Sequence, residues 1–229
     1  ANFDLATLQA DGIVGMTIPD GVAEAEVQVA NGRWQANFDR FQVPLTPFLP
    51  PDTLGLQNAQ VTGRGLVTGD LVNFNLASLT ADGMVVIDSD DVKAAGAVRV
   101  ANGRWTTDLN AFQVSLSPFL PPGLPGLQNA QVTGQGTAAG DLLNFDSSGL
   151  TANGQIDVLS PELNPEGAAA RGTVTVEDGR WDAQIDRFQV SLAPFLPADT
   201  PLLPAGNVSG TGTAAGSLTN FDLNTLVAN

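Results

Sequence analysis

The feature that most constrains this chain is an internal repeat of about 71 residues. Two motifs recur, with successive copies 71 and then 76 residues apart. They are Gly-Arg-Trp, ending at Trp34, Trp105 and Trp181, and Phe-Gln-Val-x-Leu-x-Pro-Phe-Leu-Pro, beginning at Phe41, Phe112 and Phe188. A period this regular is the signature of a repeat architecture, in which each unit buries its apolar surface against its neighbours.

The motifs divide the chain into three tandem units and the start of a fourth. An Asn-Phe dipeptide, ending at Phe3, Phe74, Phe145 and Phe221, marks the same place in each unit. The predicted units are 1–72, 73–143 and 144–219, and residues 220–229 begin a further one. Because neither end has an atypical capping sequence, we expect a fragment of a longer array.

Each unit contains a strong β-hairpin signal. Asn31-Gly32, Asn102-Gly103 and Asp178-Gly179 each lie between segments of alternating apolar and polar residues. A two-residue turn there places Val29 opposite Trp34 on an apolar face, while charged residues pair on the other face. On that polar face the expected pairs include Glu24 with Asp39, and Arg171 with Asp186.

After each hairpin the apolar positions shift by an odd number, from Phe38 to Phe41 and equivalently from Leu109 to Phe112 and from Ile185 to Phe188. A β-bulge in every unit explains this shift. A Gly-rich strand and a single capped helical turn, such as the one starting at Asn75, follow each Pro-rich segment. The predicted fold is all-β: an elongated, curled, mainly antiparallel sheet, groove-like or solenoid-like, with about four strands per unit.

Composition excludes several classes of function. The net charge is −15 with only nine Lys and Arg residues, which argues against nucleic-acid binding and against attraction to anionic lipid headgroups. Without His or Cys, the chain has no imidazole catalysis and no thiolate or imidazole metal ligands. We therefore predict no enzymatic activity and no cofactor.

Two local motifs have better structural than chemical explanations. The Gly-x-Gly sequences at Gly63 and Gly134 have the wrong spacing for a dinucleotide fingerprint and repeat with the unit. The acidic cluster Asp88, Asp90 and Asp91 lacks the spacing of a calcium loop, so a solvated turn is the favoured interpretation. Asp39, Asp108 and Asp186 are expected on the polar face, where nothing indicates paired-carboxylate chemistry.

The apolar face is the candidate functional surface. Its glycines leave room for something bulky, either aromatic side chains of a facing sheet or a ligand. The same residues could therefore form a closed core or a channel for acyl chains. The predicted groove residues are Trp34, Phe38, Phe41, Val43, Leu45, Trp105, Leu109, Phe112, Val114, Leu116, Trp181, Ile185, Phe188, Val190 and Leu192.

The run VQVANGRWQANFDRFQV, followed by a Gly-x-Gly strand and DLVNFNLASLTADG, resembles the C-terminal repeats of TamB-type translocation and assembly module proteins, which are AsmA-like, in particular cyanobacterial members. The resemblance spans all three units. It implies a β-sheet folded into a taco-like groove with an apolar interior, in a protein that crosses the periplasm. It also implies lipid acyl chains as cargo and an Omp85-type outer-membrane protein as partner.

Two functions of different classes follow. One is a segment of a periplasm-spanning envelope-biogenesis bridge that conducts lipids or assists outer-membrane protein assembly. The alternative is a structural repeat of a secreted or surface adhesin or filament, located outside the cell and able to self-associate. The low charge, the many small residues, the absence of Cys and the open-ended array are compatible with this second possibility.

Overall fold

The computed structural model describes residues 5–48, 55–73, 75–120, 124, 126–143, 147–195, 206–218 and 227–228. The phenylalanines of the Asn-Phe motif, the tips of the Pro-rich segments and the predicted helical turn after Asp222 lie outside these residues. The described strands form one antiparallel sheet, in which each strand hydrogen-bonds to the next in chain order. The prediction of an all-β antiparallel fold is confirmed.

The sheet has twelve full strands and a short thirteenth. They are β1 (Ala10–Ile18), β2 (Gly21–Ala30), β3 (Arg33–Pro44), β4 (Gln60–Asp70), β5 (Thr80–Asp88), β6 (Val92–Ala101), β7 (Arg104–Ser115), β8 (Gln131–Asp141), β9 (Thr151–Leu159), β10 (Ala168–Glu177), β11 (Arg180–Ser191), β12 (Asn207–Ser217) and β13 (Val227–Ala228). Lengths of 9, 10, 12 and 11 residues recur three times in this order, so a repeated strand pattern accompanies the sequence repeat.

The helical segments are short 3-10 turns between strands. Their bounds are Leu5–Thr7, Thr46–Phe48, Leu76–Ser78, Ser117–Phe119, Ser147–Gly149 and Ala193–Phe195. The Asn75 side chain accepts a hydrogen bond from the Ala77 backbone amide at 2.9 Å, which confirms the predicted cap. No helix in the described ranges has the length and hydropathy needed to cross a membrane.

The predicted hairpin turns are all present. Asn31 and Gly32 have φ values of 54° and 71°, and Asn102-Gly103 and Asp178-Gly179 match them within a few degrees. Two successive positive φ values define the type I′ turn, which fits the twist of paired strands and favours Asn-Gly or Asp-Gly. The pairing of Val29 with Trp34 and of Glu177 with Arg180 follows the predicted register.

The predicted bulges are also confirmed. The register between β3 and β4 shifts between Phe38 and Phe41, and the same shift recurs in β7 and β11. The bulge returns Phe41 to the face that carries Phe38, and their rings meet edge to face at 6.2 Å. This is how an odd spacing in sequence keeps a single apolar face.

The bulge also overturns two predicted polar pairs. Glu24 lies opposite Arg40 rather than Asp39, because the β2–β3 register shifts at that point. Arg171 lies opposite Arg187 rather than Asp186, and its guanidinium instead binds Asp157 of β9, with Nη2 and Oδ2 2.9 Å apart. The predicted pairs came from the β10–β11 hairpin alone, so they could not include β9, which lies on the other side of β10.

The prediction of a curled sheet is wrong, because the sheet is open and uncurled. Among the described residues, strands pack extensively only against the strands beside them. The chain exposes 14488 Å² of surface, whereas a compact monomer of 23.6 kDa exposes about 9,800 Å². The apolar face is therefore not folded onto itself as the interior of a taco-like groove.

The most buried polar groups of the described chain lie at one end of the sheet, where the turns meet. The Ser89 hydroxyl donates to the Gly55 carbonyl at 2.8 Å, and the Ser160 hydroxyl donates equivalently to the Gly126 carbonyl. Both serines are buried. Each bond joins a turn between two strands to the loop before an earlier strand, so neighbouring repeats are tied together beyond the strand ladder.

Candidate functional site

Twelve of the fifteen predicted groove residues lie in β3, β7 and β11 on one side of the sheet, and Leu45, Leu116 and Leu192 directly follow these strands. All fifteen are half-buried. Trp34, Trp105 and Trp181 occupy equivalent positions, opposite Gly69, Gly140 and Gly216 of the next strand. The three tryptophans are therefore equivalent in register and in burial. The aromatic rings lie against the neighbouring strand of the same sheet and not against a facing sheet.

Each tryptophan lies over a glycine within the same sheet layer. A Cβ atom placed on Gly69 would lie 2.6 Å from Nε1 of Trp34, and one on Gly140 would lie 2.8 Å from Nε1 of Trp105. The indole therefore covers the bare backbone of the neighbouring strand. Cross-strand aromatic cover of glycine stabilises a sheet from one side without requiring a second layer.

The phenylalanines of the repeated motif use the same device. A Cβ atom on Gly63 would lie 2.6 Å from the Phe41 ring, and one on Gly134 would lie 2.6 Å from the Phe112 ring. This explains the Gly-x-Gly motif as a structural one. The space left by these glycines is filled by aromatic rings of the adjacent strand rather than by side chains of a facing sheet.

A second set of glycines permits close approach of two backbones. Gly65 pairs with Gly83, and Gly136 pairs with Gly154. A Cβ atom on Gly83 would lie 2.5 Å from the Arg64 carbonyl oxygen and 3.1 Å from the Gly65 Cα. Gly69 and Gly140 meet only ring atoms, whereas these glycines, like Gly63 and Gly134, also face a backbone carbonyl oxygen and cannot gain a side chain without movement of the backbone.

The apolar face is wider than the predicted groove residues. The register adds Val85 and Ile87 of β5, and Ile156 and Val158 of β9, all half-buried. In β5 the alternation is concealed in the sequence because Met84 and Val86, on the opposite face, are also apolar. Pairing β5 with the Gly-rich β4 would have revealed which residues belong to the apolar face.

The opposite face is mainly polar and carries ion pairs, although it also exposes Ile13, Leu66, Met84 and Val86. Arg99 Nε lies 2.8 Å from the Asp82 carboxylate. The hydrogen bond and the charge of Asp157 raise the pKa of Arg171. An open depression of about 700 Å³ lies mainly on this face, lined among others by Thr106, Asp108, Thr137, Thr151, Asn153 and Thr175. The predicted polar-face residues Asp39, Asp108 and Asp186 are exposed.

The acidic cluster Asp88, Asp90 and Asp91 lies at the end of β5 and in the turn that follows it. Asp88 makes an exposed ion pair with Lys93, with 2.7 Å between Nζ and Oδ1. The Asp91 carbonyl accepts a hydrogen bond from the Ser115 amide at 2.7 Å. In the described part of the chain, no group of three or more acidic side chains is arranged to hold a metal ion.

The candidate site is therefore one apolar face of the sheet, and the opposite face is mainly polar. The face that runs from β2 to β12 is about 50 Å across the strands and about 30 Å along them. No protein-family model, curated protein or solved structure matches this chain.

Proposed function

We propose that the chain is a segment of an elongated envelope bridge that carries acyl chains along its apolar face. The observation that carries this proposal is the continuity of that face over successive strands, with no strand of the described residues packed against it. Exposed apolar patches of monomeric proteins rarely exceed about 600 Å², and larger ones mark interaction surfaces. In this proposal the array consists of four-strand units with the bounds 1–72, 73–143 and 144–219.

The chemistry of the face suits lipid tails rather than headgroups. Each methylene group removed from water contributes about 0.8 kcal/mol, so a chain lying across several strands binds without an ionic site. The net charge of −15 disfavours anionic headgroups. The TamB-type resemblance adds a periplasmic location and an Omp85-type partner to the proposal.

A structural filament is the second candidate. It is supported by the same apolar face, on which Val14 and Met16 are 57% and 53% exposed, because a large exposed apolar surface also marks contact between proteins. Under this alternative the chain is extracellular, and its apolar face is covered by other protein rather than by lipid.

Tryptophan fluorescence tests the lipid proposal, since all three tryptophans lie on the apolar face and the chain has no tyrosine. A zwitterionic phospholipid with brominated acyl chains should quench the emission, because bromine quenches only on contact. The unbrominated lipid should not quench.

Ala138 and Ala139 provide matched variants, because they are adjacent in β8, equally half-buried and on opposite faces. Ala138→Asp should weaken quenching about tenfold or more, since it places an unpaired charge under the acyl chain. Ala139→Asp should leave the quenching unchanged. Equal quenching in both variants, or none in the unmodified protein, would contradict the lipid proposal and favour the filament.

A further inference from the structure

A glutamine-rich row of uncharged side chains crosses the polar face from β8 to β12. Gln135 lies opposite Gln155, and Gln155 lies opposite Thr173. The row continues from Thr173 to Gln184 and from Gln184 to Thr213. Neighbouring strands are about 4.8 Å apart, so hydrogen-bonding side chains follow one another at this spacing over about 19 Å.

The sheet itself does not require uncharged groups at these positions. In the preceding repeat the equivalent residues, in the same order, are Arg64, Met84, Ala97, Asp108 and Thr137. They pair with one another in the same register across β4 to β8. Since the same strand pairing accommodates two apolar and two charged side chains there, the glutamine-rich row is not imposed by the fold.

The polar groups of the row are free to bind a ligand. In the part of the chain that the structure describes, none of the five side chains makes a hydrogen bond. Elsewhere on the same face such amides bind each other, as where Nε2 of Gln42 donates to Oε1 of Gln60 at 2.8 Å. The three glutamines of the row are exposed, and its two threonines are half-buried.

Two adjoining depressions follow the row. One, of about 410 Å³, is lined among others by Gln135, Gln155 and Thr173. The next, of about 390 Å³, is lined among others by Thr173, Gln184 and Thr213. Because they share Thr173, the two depressions form one shallow trough that runs across the strands. An open trough of this kind fits an extended polymer, whereas compact ligands bind in more enclosed pockets.

The charges around the row favour an uncharged ligand. Arg171 and Asp157, which lie beside it, form an ion pair with each other. Asp182 and Asp186 also line the trough, and the whole chain has a net charge of −15, so anionic polymers are repelled. Amides, hydroxyls and carboxylates together match the hydroxyl groups of a sugar, which both donate and accept hydrogen bonds.

We propose that the glutamine-rich row is a binding site for a neutral glycan in an extended conformation, which lies across the strands. The strand spacing of about 4.8 Å is close to the length of one sugar residue in such a chain, so successive sugars meet successive side chains. The row contains no aromatic residue on which a sugar ring could stack. Hydrogen bonds from the amide and hydroxyl groups therefore hold the glycan.

Titration with cellohexaose, followed by nuclear magnetic resonance of the glutamine side-chain amides, tests this proposal. The amide signals of Gln135, Gln155 and Gln184 should shift with a common dissociation constant. Those of Gln42 and Gln60, which bind each other on the same face, should not shift. An oligogalacturonate of the same length, which is anionic, should leave all these signals unchanged.

A double variant, Gln155→Met with Thr173→Ala, removes two members of the row. Met84 and Ala97 occupy the equivalent positions of the preceding repeat, so the sheet should form normally and the circular dichroism should be unchanged. Cellohexaose binding should weaken about tenfold or more, since several hydrogen bonds to the sugars are lost. Gln42→Met is the matched control, because it removes an amide of the same face outside the row, and it should bind like the unmodified chain.

Three outcomes would overturn the proposal: no shift of the row's amide signals at the solubility limit of cellohexaose, equal shifts of Gln42 and Gln155, or equal affinity of the double variant and the unmodified chain. Binding of the oligogalacturonate at the same positions would also overturn it, because the site would then not select neutral chains. The result is independent of the lipid proposal, since the row lies on the face opposite the tryptophans and the double variant should keep the quenching by brominated acyl chains.

Discussion

Replacing Gly83 with valine is expected to destabilise the sheet by about 3 kcal/mol, at the upper end of the cost of overpacking. A Cβ atom at this position meets the Arg64 carbonyl oxygen and the Gly65 Cα, both backbone atoms that cannot rotate away. The β-propensity of valine would favour the opposite result, but its whole range is only about 1 kcal/mol. The close approach of the two strands therefore makes the substitution destabilising, despite the β-propensity of valine.

Urea unfolding of the isolated chain measures this effect, and Gly12→Val is its matched control. Gly12 is the repeat equivalent of Gly83 and has open space beside it, so its substitution should change the free energy of unfolding by less than about 0.5 kcal/mol. Equal destabilisation by the two variants would mean that the glycines serve the backbone conformation rather than strand approach.

Replacing Trp105 with alanine should cost about 2 kcal/mol. Burial of a tryptophan in a full core is worth about 3–5 kcal/mol, and Trp105 is covered on one side only. The ring shields Gly140, so its loss exposes backbone of β8 as well as removing apolar contact. Thr106→Ala, the next residue and on the opposite, exposed face, should have little effect.

A double-mutant cycle with Gly140→Ala distinguishes this specific contact from general loss of apolar surface. In the unmodified chain Gly140→Ala should destabilise, since its Cβ would lie 2.8 Å from Nε1 of Trp105 and would displace the ring. In the Trp105→Ala background the same change should be neutral or stabilising. Additive effects of the two substitutions would contradict the stacking of the indole on Gly140.

Much of this fold could be predicted from the sequence because its determinants are local. The Asn31-Gly32 turn, the bulge between Phe38 and Phe41 and the cap at Asn75 each depend on residues within about ten positions. Because the sequence repeats, the same prediction holds in the later units, as the equivalent turns at Asn102 and Asp178 illustrate.

The absence of curl could not be predicted in the same way, because the shape of the sheet depends on where the side chains pack. The alternation of apolar and polar residues is the same whether Trp34 covers Gly69 within the layer or contacts a facing sheet. Arg171 shows the same limit on the polar face. The hairpin pattern pairs Arg171 with Asp186, but the register shift places Arg187 opposite it, and the guanidinium binds Asp157 of β9.

The central claim of this account is that the apolar face is open and receives acyl chains. Site-specific photo-crosslinking tests it most directly, with a photoreactive amino acid placed at Ala138 on the apolar face or at Ala139 on the polar face. With zwitterionic lipid vesicles, the account predicts lipid adducts from position 138 and none from position 139. Adducts of equal yield from both positions, or crosslinks from position 138 to protein alone, would contradict it.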